Sequence, residues 1–383
     1  KLNYDEIRKL ARERKPRMII AGYSAFPWDI DWKAFKEICR VAGPHCILMA
    51  DISHPAGLIA AGLLRSPVGV ADVVTFTTHK TLRGPRGAVI LTTDRKKAGK
   101  IDFAVFPGEQ GGPHINNIAA KAVCFGLALT KEFRDLQAGI IRKTAALAAG
   151  LVKRGVRLAY GGTESHLLLV DCTTFKGPGG DELRGDIASR LLDLVGITCN
   201  KNTISEDVSA LNPSAVRLGT TFLTQRGLKE ADMDRVADIV ARTLQAIKPF
   251  AVQTKQGLLG RGKIRQEEME TLRREVAELA AKTVDTPEAR KWHYPHGGYE
   301  APAPVKTPLA EEHRVAGATL ATRHGWEVAD RYPSEAVASL TGGNPAASPA
   351  RKSFTTSGAW PGRQTKRPKS RSCRQAWERN PWT

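Results

Sequence analysis

Short apolar runs alternate with amphipathic stretches over the first hundred residues. Met18-Ile19-Ile20-Ala21-Gly22 predicts a first buried strand. Asp31 then precedes Trp32, Phe35, Ile38, Cys39 and Ala42, which share one stripe at helical spacing. Ile47-Leu48-Met49-Ala50-Asp51 and Val73-Val74-Thr75-Phe76-Thr77 predict two more strands separated by a helix-sized connection, and Ala88-Val89-Ile90-Leu91-Thr92 a fourth. The alternation predicts an α/β fold with a mostly parallel sheet and right-handed crossovers. The short turn from Arg83 to Gly87 also allows the last two strands to be antiparallel.

An Ala/Leu-rich segment from Asn117 to Leu151 predicts helix with breaks, bridging to a second domain. Beyond Val156 the pattern predicts strands over 166–171, 197–199 and 215–218 and helices over 181–195 and 228–247, a smaller α+β domain. A last helix over 267–282 carries Met269, Leu272, Val276, Leu279 and Ala280 on one face. The predicted organisation is a partial large domain over 1–130, a bridging helix over 131–150 and a small domain over 151–285. A linker and the opening of a further domain follow over 286–333, then a tail over 334–383 in which periodicity disappears.

Charge and cysteine usage narrow the classes. The formal charge is +19, yet residues 351–383 hold nine Lys/Arg against Glu378 alone and so supply +8 of it. The remaining +11, spread over 350 residues, argues against a nucleic-acid footprint and fits binding of phosphate, carboxylate and polyanionic ligands. No run of 18 apolar residues predicts a membrane span, and residues 1–7 lack the apolar core of a signal peptide, so the expected location is cytoplasmic. Cysteines at 39, 46, 124, 172, 199 and 373 form no CxxC pair, which predicts reduced, buried thiols. Trp292-His293-Tyr294-Pro295-His296 lacks a third metal ligand at suitable spacing.

The chemistry concentrates at two strand ends. Lys80, beside His79, follows the third strand and opens a basic loop punctuated by Gly84, Pro85 and Gly87. A lysine in such a place either caps a strand at the surface or, held in an apolar pocket near other cations, attacks an aldehyde. Asp51 ends the preceding strand, where it either caps a helix or faces the same crevice as Lys80. Pyridoxal 5'-phosphate needs such a pair, an amine for its aldehyde and a carboxylate to keep its ring nitrogen protonated. His54 and His79 flank the pair and read as groups lining it. Arg217 emerges between apolar neighbours, where a carboxylate would satisfy its charge.

Asp51-Ile52-Ser53-His54-Pro55-Ala56-Gly57-Leu58 and Thr77-Thr78-His79-Lys80-Thr81-Leu82-Arg83-Gly84-Pro85-Arg86-Gly87 resemble motifs of the serine hydroxymethyltransferase family. Phe106-Pro107-Gly108-Glu109-Gln110-Gly111-Gly112-Pro113, Asn200-Lys201-Asn202-Thr203-Ile204 and Val216-Arg217-Leu218-Gly219-Thr220 extend the resemblance in family order, over about the first 285 residues. It implies an aspartate-aminotransferase-like, pyridoxal-phosphate-dependent transferase fold and interconversion of serine and glycine with tetrahydrofolate as co-substrate. Carried over residue by residue, it implies that Lys80 holds the cofactor, Asp51 its ring nitrogen, and Ser24 and His54 its ring hydroxyl. Gly111 and Gly112 would reach the phosphate of a neighbouring subunit's cofactor, which implies a homodimer with shared sites. Arg217 would hold the substrate carboxylate, with Arg86, Ser209, Ala210 and Leu211 as further substrate-binding positions.

The chain departs from the family's forms at Ala210-Leu211 (usually Pro-Phe), Phe76 (usually Thr) and Thr221 (usually Pro). The family's acid/base glutamate, tyrosines, phosphate-contacting serines and ring-stacking histidine lie upstream of Lys1, so the chain reads as a fragment. Thr307-Pro308-Leu309-Ala310-Glu311-Glu312-His313 and Gly325-Trp326-Glu327 resemble the opening of a glycine-cleavage aminomethyltransferase. The tail reads as a frame-shifted translation or a basic RNA-binding extension. The alternatives to the main reading are another pyridoxal-phosphate aldolase or transaminase, or a non-catalytic fragment.

Overall fold

The predicted stripe of the first amphipathic segment forms as expected. Helix α1 spans Tyr4–Arg14, strand β1 Met18–Ala21 and helix α2 Trp32–Ala42. Asp31 caps α2 by accepting from Ala34 N, and Trp32, Phe35, Ile38, Cys39 and Ala42 are all buried. Strand β2 (Ile47–Asp51), the short helix α3 (Ala56–Ala60), β3 (Val73–Thr77) and β4 (Ala88–Leu91) follow. They make a four-stranded sheet in the order β1-β2-β3-β4, parallel across β1, β2 and β3 and antiparallel between β3 and β4. The computed structural model describes residues 1–255, 257–282, 305–306, 314–315, 319–323 and 326–331.

One expectation for this sheet fails. Strand β1 is not buried on both faces, since Met18 is 45 % and Ile20 64 % exposed. Its Ala21 side packs on the core while the other side is open among the described residues, and Ile90 and Leu91 of β4 are exposed as well. A continuous apolar run therefore marks an apolar strand, not one covered on both faces.

Helix α4 (Arg95–Phe103) leads into a wide helical turn over Ala104–Glu109, then α5 (Ile115–Ala128) and the 23-residue α6 (Lys131–Lys153). Helix α6 serves two cores. Its Phe133 joins Trp32, Phe35, Leu48, Val74 and Leu82, while Leu147, Ala148 and Leu151 join a second cluster with Leu168, Val216 and Leu244. Burial of each of the larger of these side chains contributes about 1.5–3 kcal/mol. The described residues up to 282 belong to one compact unit around these clusters.

The second cluster is built from an antiparallel sheet, β5-β7-β6, and two helices. Strand β5 (Leu167–Asp171) is buried throughout, followed by α7 (Gly185–Leu194), β6 (Asn200–Asn202), β7 (Ala215–Gly219), the short α8 (Thr221–Gln225) and α9 (Asp232–Ala246). Element edges move from their predicted places where backbone groups find other partners. Residues 181–184 are not helical, because Asp181 O accepts from Gly177 N and Leu183 N donates to Phe175 O. No strand forms at 197–199. Ile197 N is taken by Leu192 O, closing the end of α7, so the strand starts only at Asn200. Helix α9 starts at Asp232, after a turn in which the Asp232 carboxylate accepts from Lys229 N.

A hairpin of β8 (Lys248–Thr254) and β9 (Gly257–Lys263) was not expected from the pattern. Alternation of Phe250 with Val252 and the glycines at 257, 260 and 262 are the signals that announce it. Helix α10 (Gln266–Ala281) closes the unit with Leu272 buried and Met269, Val276 and Leu279 packed beside it, as predicted. In the second unit, residues 300–383, strand β12 (Trp326–Arg331) pairs with β10 (Val305–Lys306) in parallel and with β11 (Thr319–Arg323) antiparallel. The histidines at 293 and 296, the segment 307–313 and the basic tail fall outside the described residues. Of the six cysteines, the five described are all unpaired; burial pushes the Cys39 and Cys199 thiols up to about 12, while Cys373 lies outside the described residues. No described helix is long and apolar enough to cross a membrane.

Candidate active site

Parallel pairing puts the carboxyl ends of β1, β2 and β3 on one edge of the sheet. Ala21 pairs with Ala50, and Asp51 pairs with Thr75, so the chain leaves three adjacent strands at nearly the same level. Ser24, Asp51 and Lys80 all lie at those exits. Gly22, with φ of +149°, makes the first exit possible, because a Cβ there would stand 2.1 Å from the Asp51 carbonyl oxygen.

The loops after β2 and β3 are laced together. The Thr81 hydroxyl donates to His54 O at 2.6 Å and accepts from Gly57 N at 2.9 Å, while Gln137 Nε2 of α6 donates to Thr81 O at 2.8 Å. A Cβ on Gly57 would come within 2.3 Å of that same Thr81 carbonyl oxygen, so only glycine admits this approach. The loop following Lys80 closes on Thr78, whose N–H donates to Gly87 O and whose hydroxyl donates to Pro85 O, and Arg83 N donates to Lys80 O. Lys80 thus sits on a backbone held at both ends. Its amine donates to Thr77 Oγ1 at 2.9 Å, and that hydroxyl donates to Ser53 O at 3.3 Å. Asp51 is not a helix cap. Its Oδ1 accepts from Ser53 N at 2.9 Å, and Pro55 occupies the cap position of α3.

Arg217 reaches this edge from β7 of the other sheet. Its Nη1 donates to Ser24 O and its Nη2 to Asn200 Oδ1 at 3.1 Å, joining positions 193 and 17 residues away. It is half-buried, and desolvation lowers its pKa. His54 senses the whole group. Burial, then the positive charges of Arg217 and Lys80, push its imidazole down to about 4, with Asp51 acting in the opposite direction. The His54 ring stacks on that of His166, with centroids 5.8 Å apart and planes at 21°. His166 is buried, and burial followed by His54 and Arg217 pushes it down to about 3. The fold therefore brings Lys80, Asp51, His54, Ser24 and Arg217 to one place. His79, beside Lys80, is half-buried with Nδ1 lacking a hydrogen-bond partner among the described residues.

Other predicted positions stand elsewhere. Gly111 and Gly112 are exposed between the turn at Ala104–Glu109 and α5, with nothing within 4 Å of where a Cβ would be. Arg86 is exposed on the loop after Lys80. Ser209, Ala210 and Leu211 form an exposed stretch, and Ser209 lines a separate cavity of about 470 Å³ with Arg157, Arg184 and Asp207. Sequence reasoning missed His166, Thr77 and Asn200 as parts of the cluster. A histidine opening the Leu167-Leu168-Leu169 run was the available signal for the first.

The two depressed histidines set a pH dependence. An unfolded histidine takes up a proton near 6.5, whereas His54 and His166 stay neutral in the fold down to about 4 and about 3. Unfolding therefore binds protons between those limits, and stability is full above about pH 6.5 and falls as the pH drops toward 4. The carboxylates Asp72, Asp207, Asp238 and Glu275 have lowered values, and their contribution is lost only as the pH falls below about 4.5, beneath most of that range. Denaturant melts between pH 4.5 and 7 are expected to show this decline, with a smaller slope for His54→Asn.

A family model described as serine hydroxymethyltransferase matches residues 1–240 of this chain. The serine hydroxymethyltransferase of Bombyx mori is 46 % identical over 257 residues, which cover 64 % of this chain and 54 % of that protein. The chain thus spans about half the length of this curated relative, and the family match ends before α10, short of the 285 residues over which motifs suggested it. Motifs in family order, a mixed α/β fold and a match over more than half of its residues together establish that the chain belongs to the serine hydroxymethyltransferase family.

Proposed function

We propose that this chain carries the lysine centre of a glycine hydroxymethyltransferase, which interconverts serine and glycine with pyridoxal 5'-phosphate as cofactor and tetrahydrofolate as one-carbon acceptor. The observation that carries the proposal is the neighbourhood of His54, where the Lys80 amine, the Asp51 carboxylate and the Arg217 guanidinium act on one imidazole. The residues fit the cofactor. An amine and a carboxylate leave adjacent parallel strands on the same edge, and His79, next to Lys80 in the chain, has a buried Nδ1 with no partner among the described residues. When bound, pyridoxal phosphate supplies an electron sink for the pair released when a bond to the substrate α-carbon breaks.

The chain's own groups do the rest. Lys80 offers the amine that captures the cofactor aldehyde, and Thr77 and Ser53 hold that amine at the strand exit. Asp51 retains a carboxylate oxygen beyond the one engaged by Ser53, and with it would keep the ring nitrogen protonated. His54 stays neutral at physiological pH and so would offer a lone pair or an N–H, not a charge, to the cofactor's ring hydroxyl, with Ser24 as a second candidate partner. Arg217 uses two of its five N–H groups on Ser24 and Asn200 and keeps three for a substrate carboxylate. Holding that carboxylate decides which α-carbon bond is aligned for cleavage.

The exposed Gly111-Gly112 loop suits contact with a second copy's cofactor phosphate in a homodimer, and the exposed Ser209–Leu211 stretch and Arg86 suit the folate or substrate. Passage of α6 through both hydrophobic cores supports a cofactor-binding large domain joined to a small one, as in the aspartate-aminotransferase-like fold.

The test is glycine formation from serine by the full chain with pyridoxal phosphate, with and without tetrahydrofolate. Serine cleavage that rises with tetrahydrofolate and outpaces threonine cleavage and transamination of 2-oxoglutarate is expected. Faster threonine cleavage would assign an aldolase, faster transamination a transaminase. Cofactor capture without any turnover would assign a binding fragment.

A further inference from the structure

Asp51 and His54 help to line a cavity of about 30 Å³, room enough for a water molecule. Three of the residues lining it, Trp28, Ser165 and His166, each carry a buried polar atom with no hydrogen-bond partner among the described residues. These are Trp28 Nε1, Ser165 Oγ and His166 Nδ1. None is bonded to another, yet all belong to the lining of one small space. Some other polar groups around it are already used. Trp32 Nε1 donates to Arg65 O, Asp29 Oδ1 accepts from Ile30 N, and Asp29 Oδ2 pairs with Arg65.

The backbone around these orphans is fixed independently of them. Ser165 N donates to Thr163 Oγ1 at 3.0 Å, and Thr220 N donates to His166 O at 3.3 Å. The side chains are thus held in place without satisfying one another. Buried polar groups in folded proteins are paired with protein or with ordered water, and a cavity with three such groups meets the requirement for water.

We propose that this cavity holds one ordered water bonded to Trp28, Ser165 and His166, and that His166, oriented by it, is a positioning residue for the His54 ring stacked on it. The indole N–H can only donate, so the water accepts from Trp28. It then has both of its own protons to give, and the proposed arrangement directs one to the Nδ1 lone pair of His166. That places the His166 proton on Nε2 and fixes the ring plane against which His54 lies. Tyr23 and Asp51 share the cavity wall, Arg217 bears on both histidines and Lys80 on His54, and none of them bonds His166 Nδ1. The part His54 plays toward a cofactor rests on the function proposed above; the water site does not.

The test combines a high-resolution crystal structure of the full chain with nitrogen-15 histidine NMR. Electron density for one water within hydrogen-bond distance of all three atoms is expected, together with a neutral His166 protonated on Nε2. Ser165→Val fills the cavity and is expected to remove the water, shift the His166 Nδ1 resonance and move the His54 titration, with the far-UV spectrum unchanged. Trp28→Phe, which removes only the donor, is expected to shift the same resonance and serves if the valine variant does not fold. An empty cavity, a His166 protonated on Nδ1, or a His54 signal indifferent to both substitutions would overturn the proposal. Capture of pyridoxal phosphate, measured on the same samples, separates the two ideas. Capture without the water sinks this inference alone, and the water without capture sinks the proposed function alone.

Discussion

Lys80→Ala is expected to abolish borohydride-stable attachment of pyridoxal phosphate to this chain and to lower any serine cleavage by at least about 10³-fold, the scale on which loss of a covalent group acts. Lys80 is the amine proposed to capture the cofactor. Among the described lysines, Lys80 alone follows a central parallel strand, bonds a strand-end hydroxyl at 2.9 Å and bears on an imidazole that also senses Asp51 and Arg217. Lys80→Arg keeps the charge and the reach to Thr77, so the fold and the low value of His54 should persist while attachment is lost. Mass analysis of the reduced, digested protein locates the adduct. An adduct on another lysine, or unchanged capture by Lys80→Ala, would refute the assignment.

Arg217→Lys is expected to raise the KM for serine by about 10²-fold or more with a smaller change in kcat, corresponding to loss of about 2–5 kcal/mol from a desolvated charge-assisted contact. A lysine retains the charge but not the planar fork, so it cannot bond Ser24 and Asn200 and still grip a carboxylate with paired donors. Arg217→Ala provides the internal control. Because Arg217 depresses His54, removing its charge should move the His54 titration upward, whereas Arg217→Lys should leave it low. A high KM with an unmoved His54 in the lysine variant therefore isolates geometry from charge. Equal loss of kcat and kcat/KM in both variants would instead point to a role in the bond-breaking step.

Much of this arrangement is written in short-range pattern. The helical stripe from Trp32 to Ala42, the strands ending at Asp51 and near Lys80, and the long helix at 131–153 depend on side-chain period and on residues close by in the chain. Amine and carboxylate at strand exits are equally local, since each is the residue at which an apolar run stops or the one just past its turn. Even so, the pattern overstated the burial of β1 and placed the starts of α7, β6 and α9 three or four residues early. In each shifted start, a backbone group was claimed by a partner that hydrophobic spacing does not encode, as when Leu192 O takes Ile197 N.

Residue order along the chain thus determined which chemistry is available, an amine, a carboxylate, imidazoles and a guanidinium, and which strands deliver the first two. Tertiary structure alone decided that Arg217 rests on Ser24, 193 residues away, that His166 lies under His54, and that Trp28, Ser165 and His166 surround one small space. The physical reason is that such meetings arise from how two sheets are set against each other across α6. Packing of distant surfaces sets that arrangement, and no periodicity within a single segment records it.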